Sequence, residues 1–321
     1  MGMRFAVESW SADYGSSTDT SAALDPSTAR VDPWVECDAA QWAPRPPGPT
    51  ATPLPVLAFV DGVRRVEATV WITDDAGEVH QGICASYAAG AVRCDGEARV
   101  VAAEVERGLF APVEGADGIE TRHGRFDLKG AGGVAPGGLV GFDALSLRLQ
   151  QAMGDLEARV AREAGEVDAV VVDGPLRAGH RGAGFVGYVK THHAAYGPPV
   201  VRDVVARLDC GERTPLLVLE TPVPRYSWYL RLPCEVTHGW AGVVRLEVAA
   251  DVSVLDAAAL ADRLSCTLPR FASSPQKDPR APQNLVPIGG LERELRHRLG
   301  DPALLLRALR VAAATATPGA A

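Results

Sequence analysis

A chain of 321 residues, 47% apolar and 22% charged, is long enough to bury a core without disulfides or a structural metal, and too apolar to stay disordered over most of its length. Its 32 Lys+Arg against 40 Asp+Glu leave a net charge of −8, which excludes a protein that coats nucleic acid or anionic membrane through its overall field; any nucleic-acid contact has to be a local patch. The N-terminus MGMRFAVESWSADYG has no apolar core of a signal peptide, and no apolar run approaches the ~20 residues of a membrane helix, so a cytoplasmic chain with no membrane partner is expected. Six scattered cysteines without a C-x-x-C pair read as reduced thiols rather than a disulfide framework or zinc site. Lysine occurs only at 129, 190 and 277.

Residues 1–52 read as an N-terminal extension, disordered or docked on a partner. Residues 1–35 lack periodicity, and APRPPGPTATPLP over 43–55 has too much proline for helix or central strand. The folded domain is expected over 53–311. It begins with a strand over 56–62, an Asp-Gly turn and a second strand over 64–75, where Val66, Ala68, Val70 and Ile72 alternate with Glu67, Thr69, Trp71 and Thr73. Strands over 82–92 and 98–106 complete an antiparallel meander. The glycine-rich stretch 111–141 reads as a long loop. An amphipathic helix is predicted over 143–164, with Leu145, Leu149, Ala152, Met153, Leu156 and Val160 on one stripe. EVDAVVVDGPL (166–176) follows, and its run Ala169–Val172 fits a strand buried on both faces. A helix leading into an apolar strand that ends in Asp is α/β syntax. Further strands are predicted over 185–192, 215–221, 225–233 and 242–249, and helices over 200–208, 256–268 and 290–310. Residues 312–321 read as a frayed tail.

Two strands end alike, AFVDG at Asp61 and VVVDG at Asp173. An Asp at the end of a buried strand sits at the sheet rim, where neighbouring strands converge. Two such carboxylates suit Mg²⁺ or Mn²⁺, which take hard oxygen ligands; the competing reading is that each Asp-Gly starts a turn. On the intervening helix, Glu157 lies about 80° from the centre of the apolar stripe, close enough to lean toward the Asp173 strand end, although a solvated border residue fits the same position. Residues 174–202 contain no acid and carry Arg177, Arg181, Lys190 and Arg202 with His180, His192 and His193. In an acidic chain this stretch reads as a phosphate-contacting surface, with Lys190 as a compact charge at the scissile phosphate. A solvated basic face is the alternative. No G-x-S-x-G elbow and no Walker A motif is present.

The order FVDG (59–62), a β-hairpin, a long helix with an acid, VVVDGPL (170–176), GYVK (187–190) and DPRAPQNLVPIGGLERELRHRLGD (278–301) resembles the NurA family of nucleases over roughly residues 56–301. The resemblance implies an α/β fold with an RNase H-like core, a mixed β-sheet flanked by helices. It also implies a Mn²⁺- or Mg²⁺-dependent DNA nuclease, commonly a homodimer, that works in end resection or phage defence with a HerA-type hexameric ATPase. Asp61 and Asp173 match the family's metal-binding aspartates, Glu157 is the candidate helix glutamate, and Lys190 matches the basic residue after the second aspartate. Arg177, Arg181, His192 and His193 are the DNA-contact candidates. The family's tyrosine–histidine pattern near the C-terminal end is not present; Asp278, Gln283, Asn284 and His297 occupy that region. The departure keeps a second expectation open, a catalytically silent module that docks on a motor ATPase and guides DNA.

Overall fold

The computed structural model describes residues 25–26, 30–73, 77–113, 118–129, 141–177, 179–180, 184–192, 194–221 and 223–316. In chain order its elements begin with β1 (Asp25–Pro26), β2 (Arg30–Asp32), β3 (Leu57–Thr73), β4 (Val79–Cys94), β5 (Ala98–Phe110), β6 (Ile119–Thr121) and β7 (Gly124–Leu128). Helix α1 (Gly141–Arg162), β8 (Ala169–Asp173), β9 (Phe185–Val189), β10 (Ala194–Ala195) and α2 (Pro199–Ala206) follow. The chain ends with β11 (Leu217–Glu220), β12 (Arg225–Arg231), β13 (Val243–Ala249), α3 (Val254–Thr267), α4 (Val286–Arg298) and α5 (Pro302–Ala316). The residues divide into two compact units: one from 1–60, 92–99 and 164–290, the other from 61–91, 100–163 and 291–321. Strands β3, β4 and β5 and helix α4 contribute residues to both.

The first unit contains a mixed sheet in the order β2-β11-β12-β13-β9-β8-β3. The start of β3 pairs in parallel with β8, from Leu57↔Ala169 to Val60↔Val172, and β8 pairs in parallel with β9. The remaining pairs, through β13, β12, β11 and β2, are antiparallel. Ala169, Val170, Val171 and Val172 are all buried, as their continuous apolar run requires of a central parallel strand. Helix α2 begins on Pro199, where a missing N–H costs nothing. It lays Val201, Val204 and Val205 against Leu217, Leu219, Tyr229 and Val243.

Residues 30–52 pack within this unit, although their composition reads as an extension outside it. Trp42 is buried in the α2 cluster, and its indole N–H donates to the Pro33 carbonyl at 2.6 Å. Arg213, almost fully buried, grips Glu36 with both terminal nitrogens at 2.9 Å and donates through Nε to Asp262 of α3 at 2.7 Å. Arg45 and the Leu216 N–H also donate to Glu36. Each buried charge thus has a bidentate or hydrogen-bonded partner, without which its burial would be prohibitive.

The second unit continues β3 into the order β3-β4-β5-β7-β6. Its core joins Cys84, Leu109 and Phe126 to Leu305 and Leu309 of α5, and α1 buries Leu145, Leu149, Leu156 and Val160, the stripe its periodicity predicts. Burial raises the carboxyl of Glu106, but hydrogen bonds from Tyr87 and Lys129, with Arg159 as an ion-pair partner, win and hold it down at about 2. No described helix is long and apolar enough to cross a membrane.

Three elements differ from the sequence reading. Asp61-Gly62 starts no turn: β3 runs unbroken for 17 residues, so there is no hairpin at that point. The predicted 290–310 helix is two helices, interrupted where Gly300 takes φ 83° and Asp301 accepts from the Ala303 and Leu304 N–H groups at 2.8 and 3.0 Å. Helix α5 then continues to Ala316, into the stretch read as frayed tail. Of the predicted 111–141 loop, residues 119–128 form the β6–β7 hairpin, and 114–117 and 130–140 lie outside the described residues.

Glu36→Gln is expected to destabilise the protein by about 3 kcal/mol, the cost of breaking a buried pair, as read by urea unfolding at pH 7. Burial raises the Glu36 carboxyl, but Arg213 outweighs it and leaves the group below its ordinary 4.5. Its contribution is therefore complete above that ordinary value and is lost as pH falls through the depressed folded value. The difference between wild type and variant should shrink on acidification; a gap that stays constant to the acid limit would refute the assignment.

Candidate functional site

Asp173 is the last residue of β8, one position beyond Val172, and the backbone around it is fixed from several sides. Gly174 follows with φ 97°, a conformation L side chains rarely adopt, and its N–H donates to the Tyr188 carbonyl at 2.8 Å. Two residues on, the Leu176 N–H donates to Glu247 of β13 at 3.1 Å. Glu247 is itself held by Arg225 at 2.8 Å and by Arg245. The strand end is thus clamped by the neighbouring strands.

A relay of polar groups in the first unit converges on Asp173. Lys190, just past β9 and largely buried, donates through Nζ to Asp173 Oδ2 at 2.6 Å and to Asn284 Oδ1 at 3.0 Å. Asn284 donates through Nδ2 to Asp278 Oδ2 at 2.7 Å. Burial, and then the Asp173 charge, push the Tyr188 phenol well above its ordinary value, so it remains a donor, and it donates to the Gln283 carbonyl at 2.7 Å. The loop 278–284 is therefore tied to β8 and β9 through the Lys190 and Tyr188 side chains.

The second unit begins with Asp61, which is 6% exposed. Its Oδ1 accepts from the Gly62 N–H at 2.8 Å, and one of its carboxylate oxygens lies within 4.8 Å of one from Glu292 on α4. Glu157 on α1 is 4% exposed and lies directly over Gly62: a Cβ at that glycine would stand 2.4 Å from Glu157 Oε1 and 3.0 Å from Met153 Cγ. Gly62 therefore serves a close approach inside a strand rather than a turn.

The other sequence candidates fall in different settings. Asp278, Gln283 and Asn284 are buried in the relay or beside it, whereas His297 is exposed on α4. Arg177 is half-buried beside His180, whose Nδ1 accepts from the Arg177 N–H at 3.3 Å. Arg181 and His193 lie outside the described residues. His192, a DNA-contact candidate in the sequence, is instead a core side chain: it is buried, its Nε2 meets the Val243 carbonyl at 3.1 Å, and its ring packs against both Tyr229 and Trp240. Glu292 was not among the sequence candidates. The signal was present, because Glu292 follows the buried Leu291 of α4 as Glu157 follows the buried Leu156 of α1, each one position off an apolar stripe.

Among comparisons with known proteins, the family model described as the NurA domain matches residues 142–288. A search of curated proteins gave no match.

Gly62→Ala is expected to cost roughly 2 kcal/mol, as overpacking of a filled site does, because the new methyl must displace Glu157. Thermal unfolding of the variant checks this. Stability equal to wild type would show that Glu157 can leave its position without cost.

Proposed function

Because the chain carries a NurA domain, we propose that it is a divalent-metal-dependent DNA nuclease, with Asp61, Asp173 and Glu292 as the cation-holding carboxylates. The observation that carries this reading is the parallel register of β3 and β8: Val60 and Val172 are partners, and the next residue of each strand is an aspartate. Glu292 adds the third oxygen donor beside Asp61. An all-carboxylate set fits hard cations, Mn²⁺ or Mg²⁺, and not a soft metal that would select cysteine or histidine. When bound, such a cation neutralises charge on a phosphodiester and makes water a better nucleophile at neutral pH.

The chain's own residues prepare that site. Lys190 places a cation against Asp173 and so orients that carboxylate; Asn284 and Asp278 hold the lysine in turn. Glu157, buried over Gly62, braces the strand that presents Asp61, in place of the ligand role the family resemblance implies for it. The backbone clamp at Gly174–Leu176 limits the freedom of Asp173, which pre-organises the donor. Arg177, with Arg181 and His193 on the same acid-free segment, supplies the phosphate contacts.

The connection order β3-β4-β5, then α1 after the β6–β7 hairpin, then β8-β9, with β3, β8 and β9 parallel, supports an RNase H-like core. As implied by the family, the physiological form is a cytoplasmic homodimer that cuts DNA in end resection or phage defence with a HerA-type hexameric ATPase. The chain's net charge of −8 gives the motor the larger part of DNA retention.

Degradation of single- and double-stranded DNA is expected with Mn²⁺ or Mg²⁺, to vanish with chelator, and to rise when the ATPase and ATP are added. Asp173→Asn and Lys190→Met should each cut the rate by ~100-fold or more. Equal rates in wild type and Asp173→Asn would overturn the site. Complete inactivity of wild type, with and without the ATPase, would favour the silent guiding module.

A further inference from the structure

A cavity opens in the first unit. It has a volume of about 470 Å³ and is lined by Leu54, Phe271, Val286 and Pro287 on its apolar side and by Arg270 and Lys277 on its basic side. Phe271 is fixed there, its ring packing edge-on against Phe59 with centroids 5.0 Å apart. Arg270 and Lys277 are both exposed, and among the described residues neither has an acidic partner. The one acid of the lining, Glu97, is already engaged by Arg99 at 3.1 Å. An aromatic ring and aliphatic walls beside two uncommitted cations match a base with its phosphate: the flat apolar face stacks and the anion meets the cations.

The position ties this cavity to the relay on Asp173. Lys277 is one of only three lysines in the chain and immediately precedes Asp278. The Lys277 and Asp278 N–H groups both donate to the Ser274 carbonyl, at 2.8 and 3.0 Å. One turn thus presents the lysine to the cavity and the aspartate to Asn284, and through it to Lys190.

We propose that this cavity is a subsite for one nucleotide of a single-stranded DNA segment, held by stacking on Phe271 and by Arg270 and Lys277 on its phosphate. The proposal rests on the nuclease reading for its substrate, but its test does not require cleavage. Binding of a short, fluorescein-labelled single-stranded oligonucleotide is measured by anisotropy in chelator across a salt series, for wild type and for Arg270→Glu/Lys277→Glu. The double variant should bind roughly tenfold more weakly, with a salt dependence shallower by about 0.7, the loss of one neutralised single-strand phosphate. Both residues are exposed, so its melting temperature should match wild type, which separates lost binding from lost folding. Deoxynucleoside monophosphate at millimolar level should compete with the oligonucleotide in wild type and not in the variant, whereas inorganic phosphate should compete poorly with both. Unchanged oligonucleotide affinity and salt slope in the folded variant would overturn the subsite, as would competition by inorganic phosphate equal to that by the nucleotide. If wild type cuts no DNA yet the variant still loses affinity, the nuclease reading fails and the subsite stands; if wild type cuts DNA and the variant binds normally, the reverse holds.

Discussion

The parallel register of β3 and β8 is the constraint on which the rest depends. Val60 and Val172 are partners in a buried pair of strands, and each strand proceeds directly to an aspartate. A carboxylate delivered this way is largely withheld from water, so its charge is costly unless a positive group sits beside it. Lys190 gives Asp173 such a group at 2.6 Å. The glycine after each aspartate does separate work. Gly174 takes a left-handed conformation as the chain leaves the strand, while Gly62 stays extended and leaves room for Glu157.

The scaffold around this point relies on arginine. Arg213 joins Glu36 to Asp262, so that residues 30–52 and α3 are held to the same centre. Arg225 and Arg245 fix Glu247, which in turn holds the Leu176 N–H beyond Asp173. Arg231, fully buried, donates to the carbonyls of Leu208, Ala241, Val205 and Gly239 at the end of α2 and the loop before β13. The planar fork of arginine carries five N–H donors in a fixed geometry, so one side chain ties several carbonyls or carboxylates together. A chain with three lysines among 32 basic residues is well furnished for such ties.

Much of this was legible in the residues because its signals are local. The stripe on α1 and the apolar run Ala169–Val172 marked their elements, and the two V-D-G strand ends marked the aspartates. What escaped depended on long-range partners. Proline content hid the anchoring of residues 30–52, because Trp42 and Glu36 find their partners in α2 and at Arg213, far along the chain. Asp61-Gly62 carries the composition of a turn, but β3 runs on beside β4, and that pairing outweighs a dipeptide preference. His192 sat in a basic stretch and so read as surface, whereas its neighbours Tyr229 and Trp240 come from 37 and 48 residues later. Glu157 and Glu292 hold equivalent positions on their helices, and helical periodicity does not choose between them.

That choice gives the most direct test of the central claim. Mn²⁺ binding is measured by the loss of the free-ion electron paramagnetic resonance signal, for wild type, Glu292→Gln and Glu157→Gln, each confirmed folded by circular dichroism. The account predicts that Glu292→Gln weakens Mn²⁺ binding at least ~10-fold while Glu157→Gln binds as wild type does. Mn²⁺ binding preserved in Glu292→Gln and lost in Glu157→Gln would contradict it.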